Sequence, residues 1–333
     1  MKKRNIVLLP LTLLALMFAF PHYTVATTLQ QLTAEGLTTI EMNSGDPNLL
    51  VLTDAPYVRV NNKSSLAFLE TVQEETGCTV GKSNLLFYQR PQNHPLRFLL
   101  MAKTSGKGVI ISRENDAWLS ENVQLDAATI SKAAFWEESK KLHAGKDIST
   151  LAAIAAVWAK NAPYDFLKSA ELHNHICPGL TSGYLIAHYI QNNIPLHEDE
   201  RYTVIASPVW CKEDALQVIL DCTPGKHGLI VKPLGKEAVE RISFANPAAI
   251  VLVYNSKTKS GKGYALSFNF DDIRAGVPKD SPKVATVLAS LEFLDQPEKF
   301  VTNAASFNLN EALFTTITEA GSNPYEAAAL VKK

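Results

Sequence analysis

Apolar positions recur at helical spacing through Leu66, Phe68, Leu69 and Val72, behind Ser64 or Ser65 as a cap, which predicts a helix there. Before it, Tyr57-Val58-Arg59-Val60 has the composition of a short strand, whereas Thr27 to Asp54, with its Asn43-Ser44-Gly45-Asp46-Pro47 turn, reads as mixed and turn-rich. Phe98 to Met101 and Ala249 to Tyr254 are unbroken apolar runs of strand length. Asp126 to Ala162 carries Ile130, Ala134, Phe135, Leu142, Leu151, Ile154, Val157 and Trp158 at helix period, predicting two helices broken at Gly145. Ser281 to Leu294 and Leu309 to Val331 also read as helical. This mixture predicts an α+β fold.

The pattern then repeats. Tyr202-Thr203-Val204-Ile205 reads as a strand, Cys211 to Leu220 as a helix, and Cys222-Thr223-Pro224-Gly225-Lys226 closes it as Gly77-Cys78-Thr79-Val80-Gly81-Lys82 closes the first helix. Leu85-Leu86-Phe87 matches Leu229-Ile230-Val231, and Ser105 to Ile110 matches Ser260 to Ala265. Matched blocks in one order predict an internal duplication paired as a pseudo-two-fold dimer. The expected boundaries are 27–160 for a degenerate first copy and 161–333 for the copy that keeps the chemistry.

That chemistry centres on His173-Asn174-His175-Ile176-Cys177-Pro178-Gly179. In an extended segment alternate residues project to one side, so His173, His175 and Cys177 converge on one point. Pro178 suits the first turn of a helix, leaving Cys177 at the N-cap, where free N–H groups and the helix dipole favour thiolate. Two imidazoles beside a thiolate suit a divalent transition metal, zinc first and then nickel, iron or copper, or else form a nucleophile with its own base. If a helix starts near Cys211, Asp214 shares its face, bringing a second thiol and a carboxylate toward the same pocket. Lys226 can offer a cation to an anionic ligand, although the turn around it lacks the spacing of a phosphate loop. His188 reads as a packed or surface residue. No Gly-x-Ser-x-Gly or His-Glu-x-x-His occurs, so neither serine hydrolase nor zincin chemistry has support.

Composition limits the partners. The 333 residues are 46% hydrophobic and carry 32 basic against 33 acidic side chains, so no basic field exists to hold nucleic acid. Lys2, Lys3 and Arg4, the apolar run from Ile6 to Phe20 and the small residues of Thr24-Val25-Ala26 read as a signal peptide over residues 1–26, cleaved after Ala26. The expected product is periplasmic or secreted and has no membrane span; retention of the run as an N-terminal anchor is the other reading. Export places Cys78, Cys177, Cys211 and Cys222 in an oxidising compartment, with Cys211 and Cys222 the candidate disulfide by proximity.

The string Glu171 to Leu180 with Gly183, then Cys211-x-x-Asp214-Ala215-Leu216-Gln217, Cys222-Thr223-x-Gly225-Lys226 and Gly235-Lys236, resembles the FmdE family, the proteins related to the FmdE component of formylmethanofuran dehydrogenase. The resemblance implies an α+β core that dimerises and a His/Cys metal or active site. Carried over, that site is His175, Cys177, Cys211 and Asp214, with His173 near the first His of the pattern. The family's usual His-Gly-His reads here His173-Asn174-His175, and no Cys follows Cys222 to build the C-terminal zinc finger of some members. The expected function is an exported protein that binds a transition metal or a small metal-containing ligand, as a pseudo-dimeric monomer or a homo-oligomer. Two alternatives stand beside it: a thiol- or metal-dependent oxidoreductase with Cys177 as nucleophile and Asp214 as orienter, and a haem protein ligated through Cys177 and a histidine.

Overall fold

The largely apolar runs Leu49–Thr53 and Leu96–Ala102 are buried at every position, as strands covered on both faces must be. The computed structural model describes residues 28–332; the expected signal peptide lies outside them. The first half contains α1 (Leu29–Thr39), β1 (Leu49–Thr53), a small hairpin of β2 (Arg59–Val60) and β3 (Lys63–Ser64), α2 (Leu66–Thr76), β4 (Leu85–Phe87), β5 (Leu96–Ala102), β6 (Lys107–Glu114) and β7 (Ala117–Gln124). Helices α3 (Ala127–Ile130), α4 (Ala133–Ser139), α5 (Ile148–Ala159) and α6 (Tyr164–His173) follow. The second half begins with α7 (Pro178–Asn193), β8 (Glu200–Ala206), α8 (Lys212–Leu220), β9 (Leu229–Val231), α9 (Lys236–Glu240) and β10 (Pro247–Asn255). It ends with β11 (Ser260–Phe268), α10 (Asp271–Ala275), α11 (Lys283–Ser290), β12 (Val301–Asn310), α12 (Glu311–Thr318) and α13 (Pro324–Ala327).

Two five-stranded sheets result, ordered β4-β1-β5-β6-β7 and β9-β8-β10-β11-β12. In each, the first pair is parallel, joined across a helix, and the rest are antiparallel. Val51 pairs with Leu85 and Leu100, just as Val204 pairs with Leu229 and Val251. The fold is therefore mixed α+β, with one strand order and one set of strand directions in both sheets. The strand that answers β8 is β1, not Tyr57 to Val60. Those residues instead feed the small β2–β3 hairpin, and the region read as turn-rich holds both α1 and a central strand.

The largest hydrophobic cluster crosses the expected boundary at residues 160 and 161. It joins Leu50 and Ile110 of the first sheet to Leu151 and Val157 of α5, Phe166 of α6, Leu180 and Leu185 of α7, and Phe300. Helix α5 is buried all round, from Thr150 to Trp158, as a helix apolar on every face must be. The two halves thus share a core. All four cysteines are free, which corrects the expected Cys211–Cys222 bridge. The two lie at opposite ends of α8, on the order of 14 Å apart along its axis at 1.5 Å per residue, too far for a disulfide. The Cys222 thiol instead donates to the Leu216 carbonyl, and Cys78 donates to that of Leu49. Among the described residues no helix is long and apolar enough to cross a membrane.

Candidate metal centre

The site is built where α6 stops and α7 starts. Gln89 N–H donates to the Glu171 carbonyl at 3.1 Å and the Tyr57 hydroxyl donates to the Glu171 carboxylate, so loops of the first half hold the end of α6. His173 is the last residue of that helix, and Asn174 caps it in the left-handed conformation, φ 59°. The chain turns there and re-enters a helix at Cys177, the N-cap of α7, with Pro178 in the first turn. His173, His175 and Cys177 therefore converge because a helix end, a left-handed residue and a helix start fold back on each other. Cys177 is extended, but His173 ends a helix and Asn174 is left-handed, so extended-strand alternation does not run through all three, a correction to the expected geometry.

The ligand atoms of His173, His175 and Cys177 lie within 4.8 Å of one another, and all three residues are half-buried. His173 Nδ1 is 2.7 Å from Asp214 Oδ2, and its Nε2 is 3.7 Å from Cys177 Sγ. His175 Nδ1 lies 3.2 Å from both the His173 carbonyl and Asn174 Oδ1. Each imidazole thus has Nδ1 engaged, and Nε2 of His173 faces the Cys177 sulfur. Tetrahedral zinc with N and S ligands needs ligand atoms roughly 3.4–3.7 Å apart, and the 3.7 Å between His173 and Cys177 meets that. Asp214 on His173 supplies the carboxylate that commonly orients a metal-bound imidazole. The three side chains fit a divalent transition metal.

Electrostatics point the same way. Burial works against the Cys177 thiolate, but hydrogen bonds with His173 and His175 and from the Leu180 N–H outweigh it, holding the thiol down to about 5. Burial likewise opposes the His173 imidazolium, yet Asp214 and Cys177 raise it to about 9. Without metal, Cys177 and His173 form a thiolate–imidazolium pair. Cys211, the N-cap of α8, lies outside the group of three; burial first, then the neighbouring Cys177 thiolate, push its thiol up to about 11. Asp214 is brought in by the helix face expected for it. Lys226 is exposed and paired with Asp221, and lies outside the cluster. His188 packs at a tilt against Tyr184 and pairs with Asp165 at 2.8 Å.

Sequence reasoning missed the support behind Cys211. The Lys212 ammonium is fully buried, 2.6 Å from Glu213, bonded to the Pro208 carbonyl and 3.7 Å from the Trp210 ring centroid. The Trp210 indole N–H donates to Ser182 Oγ on α7 at 2.8 Å. The signal in the chain was Lys212-Glu213, two adjacent charges between a Trp-Cys pair and an apolar helix. At Asn174 the left-handed backbone has a testable consequence. Asn174→Ala should cost about 1 kcal/mol, whereas Asn174→Gly should leave thermal stability unchanged. Equal melting temperatures for the two variants would remove the conformational argument.

An α+β protein with a His/His/Cys cluster at a helix–helix junction is the class that fold and site define. Residues 172–306 match the family model FmdE, described as molybdenum formylmethanofuran dehydrogenase operon. Over these residues the chain is similar to the FmdE family. A tungsten formylmethanofuran dehydrogenase FmdE-like protein from Syntrophus aciditrophicus, known from its crystal structure, is similar over 44% of this chain and 71% of that one. The two share 19% identity, with a TM-score of 0.29. No curated protein matches the sequence.

Proposed function

We propose that this protein binds one divalent transition metal through His173 Nε2, His175 Nε2 and Cys177 Sγ, with Asp214 orienting His173 and Cys211 near the open fourth position. The observation that carries the reading is that both imidazoles already have Nδ1 engaged, leaving Nε2 for the centre. Mixed N/S ligation favours zinc, with nickel, iron and copper behind it. A bound ion would supply Lewis acidity at the open position. Haem is disfavoured because Cys177 and His173 are in direct contact, with no room for a macrocycle between them.

The basic and apolar N-terminus favours export to the periplasm or medium. The common strand order and register of the two sheets support duplication of one unit, and their shared core supports a pseudo-dimer within one chain. A second reading rests on the in-line contacts of Asp214, His173 and Cys177: a thiol enzyme with Cys177 as nucleophile, His173 as base and Asp214 as orienter.

Zinc titration of chelator-treated protein against a chromophoric competitor, checked by elemental analysis, tests the metal reading. Wild type should bind one equivalent, and Cys177→Ser and His175→Ala should lose it while melting as folded proteins. Asp214→Asn should weaken binding roughly 10–100-fold. Full retention of zinc by Cys177→Ser would reject these ligands.

A further inference from the structure

A cavity of about 310 Å³ opens beside the cluster, at the joint between the start of α7, the loop before α8 and the end of β11. Gly179 and Trp210 are among its walls. A methyl group on Gly179 would stand 3.0 Å from Cys211 Cβ and 3.4 Å from its sulfur. The cavity therefore shares a wall with Cys211, and that wall begins at Pro178, the residue after Cys177.

Its lining is half polar, with one aromatic side that is held in place. Trp210 is fixed by Ser182 and by the Lys212 ammonium, and faces a space also walled by Phe268 and Phe270. These two rings meet edge-on at 4.7 Å, and Phe270 is buried. At the rim stand Asn246, Asp271 and Arg274. Arg274 and Asn246 are exposed, and among the described residues neither side chain has a hydrogen-bond or ion-pair partner. Asp271 offsets the charge of Arg274, so the rim carries no net charge and disfavours polyanions. The volume is at the small end for ligand pockets.

The first half sharpens this assignment. Arg113 stands four residues after Val109 on β6, as Phe268 stands four after Tyr264 on β11, and Val109 and Tyr264 hold equivalent register positions beside Leu100 and Val251. Arg113 lines a cavity of about 380 Å³ at the matching corner, where His94, Glu114 and Asp116 replace the aromatic rings. There the arginine is paired with Asp116 at 3.6 Å. A cavity at this corner belongs to the sheet architecture. The aromatic walls and the unpaired arginine occur in the half that carries the His/Cys cluster.

We propose that the Trp210–Arg274 cavity binds a small monocarboxylate with a flat aromatic body, the ring between Trp210 and the two phenylalanines and the carboxylate on Arg274 and Asn246. An Arg–carboxylate fork gives that group both strength and orientation, and aromatic walls favour a flat body. What the ligand does there rests on the reading of the Cys177 cluster as the metal or thiol centre; its binding does not.

The test uses the full chain and two probes, indole-3-carboxylate and its neutral carboxamide, titrated by calorimetry. Wild type should bind the carboxylate at least tenfold more tightly, and Arg274→Gln, an exposed change, should erase that difference without moving the melting temperature. Failure of wild type to bind the carboxylate at millimolar concentration, equal affinity for both probes, or an unaffected Arg274→Gln variant would each overturn the proposal. Cys177→Ser separates the two readings. Loss of zinc with carboxylate affinity intact supports both, whereas zinc retained with carboxylate affinity intact rejects the metal ligands alone. Zinc lost from the variant while wild type never bound the carboxylate rejects the cavity alone.

Discussion

Replacing Gly183 with alanine is expected to destabilise the protein by about 2 kcal/mol and to weaken the metal site with it. In an exposed helix the same change gains about 1 kcal/mol from helix propensity. Here the added methyl would stand 2.4 Å from the Lys212 carbonyl oxygen and 2.7 Å from Lys212 Cα. Both are backbone atoms, which cannot rotate away, and overpacking of this kind costs about 3 kcal/mol, so the clash wins. The loss is local to the site, because α7 carries Cys177 and α8 carries Asp214. Forcing the helices apart pulls the Asp214–His173 contact away from Cys177. Thermal melting should fall by roughly 3 °C, and zinc affinity should drop in the same variant. Gly225→Ala, which meets nothing within 4 Å, is the matched control and should change neither. A Gly183→Ala protein that melts and binds zinc like wild type would show that α7 and α8 adjust freely.

The close approach at Gly183 also shows where sequence reading reaches its limit. Cys177 at an N-cap and Pro178 in the first turn were legible because capping is local chemistry within four residues. Asp214 was legible for the same reason, since helical spacing fixes the face it shares. The His-x-His-x-Cys spacing pointed to three residues that the structure brings together, but not to the helix end at His173 and the left-handed Asn174 that place them. The left-handed turn at that residue depends on how α6 meets α7. Leu49–Thr53 was misread because an apolar run without alternation does not separate a covered strand from other buried segments. Helix α1 did carry its signal: Leu29, Leu32, Thr33, Gly36 and Leu37 are its buried positions, at helix spacing, but threonines and a glycine within it mask the period. The Trp210–Ser182 contact was beyond reach, since it joins α7 to a loop 28 residues away. The Arg97–Asp147 pair at 2.7 Å, which ties β5 to the start of α5 across 50 residues, was hidden for the same reason.

In metal-free protein, Cys177 should react with iodoacetamide at almost its full rate down to pH 6, with a midpoint at about 5. The other three thiols should stay silent there. Burial is the leading cause for each, pushing Cys78 and Cys211 up to about 11 and Cys222 up to about 12. Mass spectrometry after a short pulse should therefore find one labelled site. His173→Ala removes the positive partner and should raise the midpoint by about 2 pH units, and unfolding in urea should return it to about 8.5. The sign of the linked stability follows from the same pair. The Cys177 value is lowered by folding, so its contribution is lost as pH falls through about 5; the His173 value is raised, so its contribution is lost as pH rises through about 9. Metal-free protein should thus be most stable between those limits. One equivalent of zinc should block the labelling at every pH where it binds, because the nucleophilic sulfur is also the ligand. A wild-type midpoint above 8 would separate Cys177 from His173 and remove the thiol-enzyme reading, and labelling that zinc leaves unchanged would remove the metal reading.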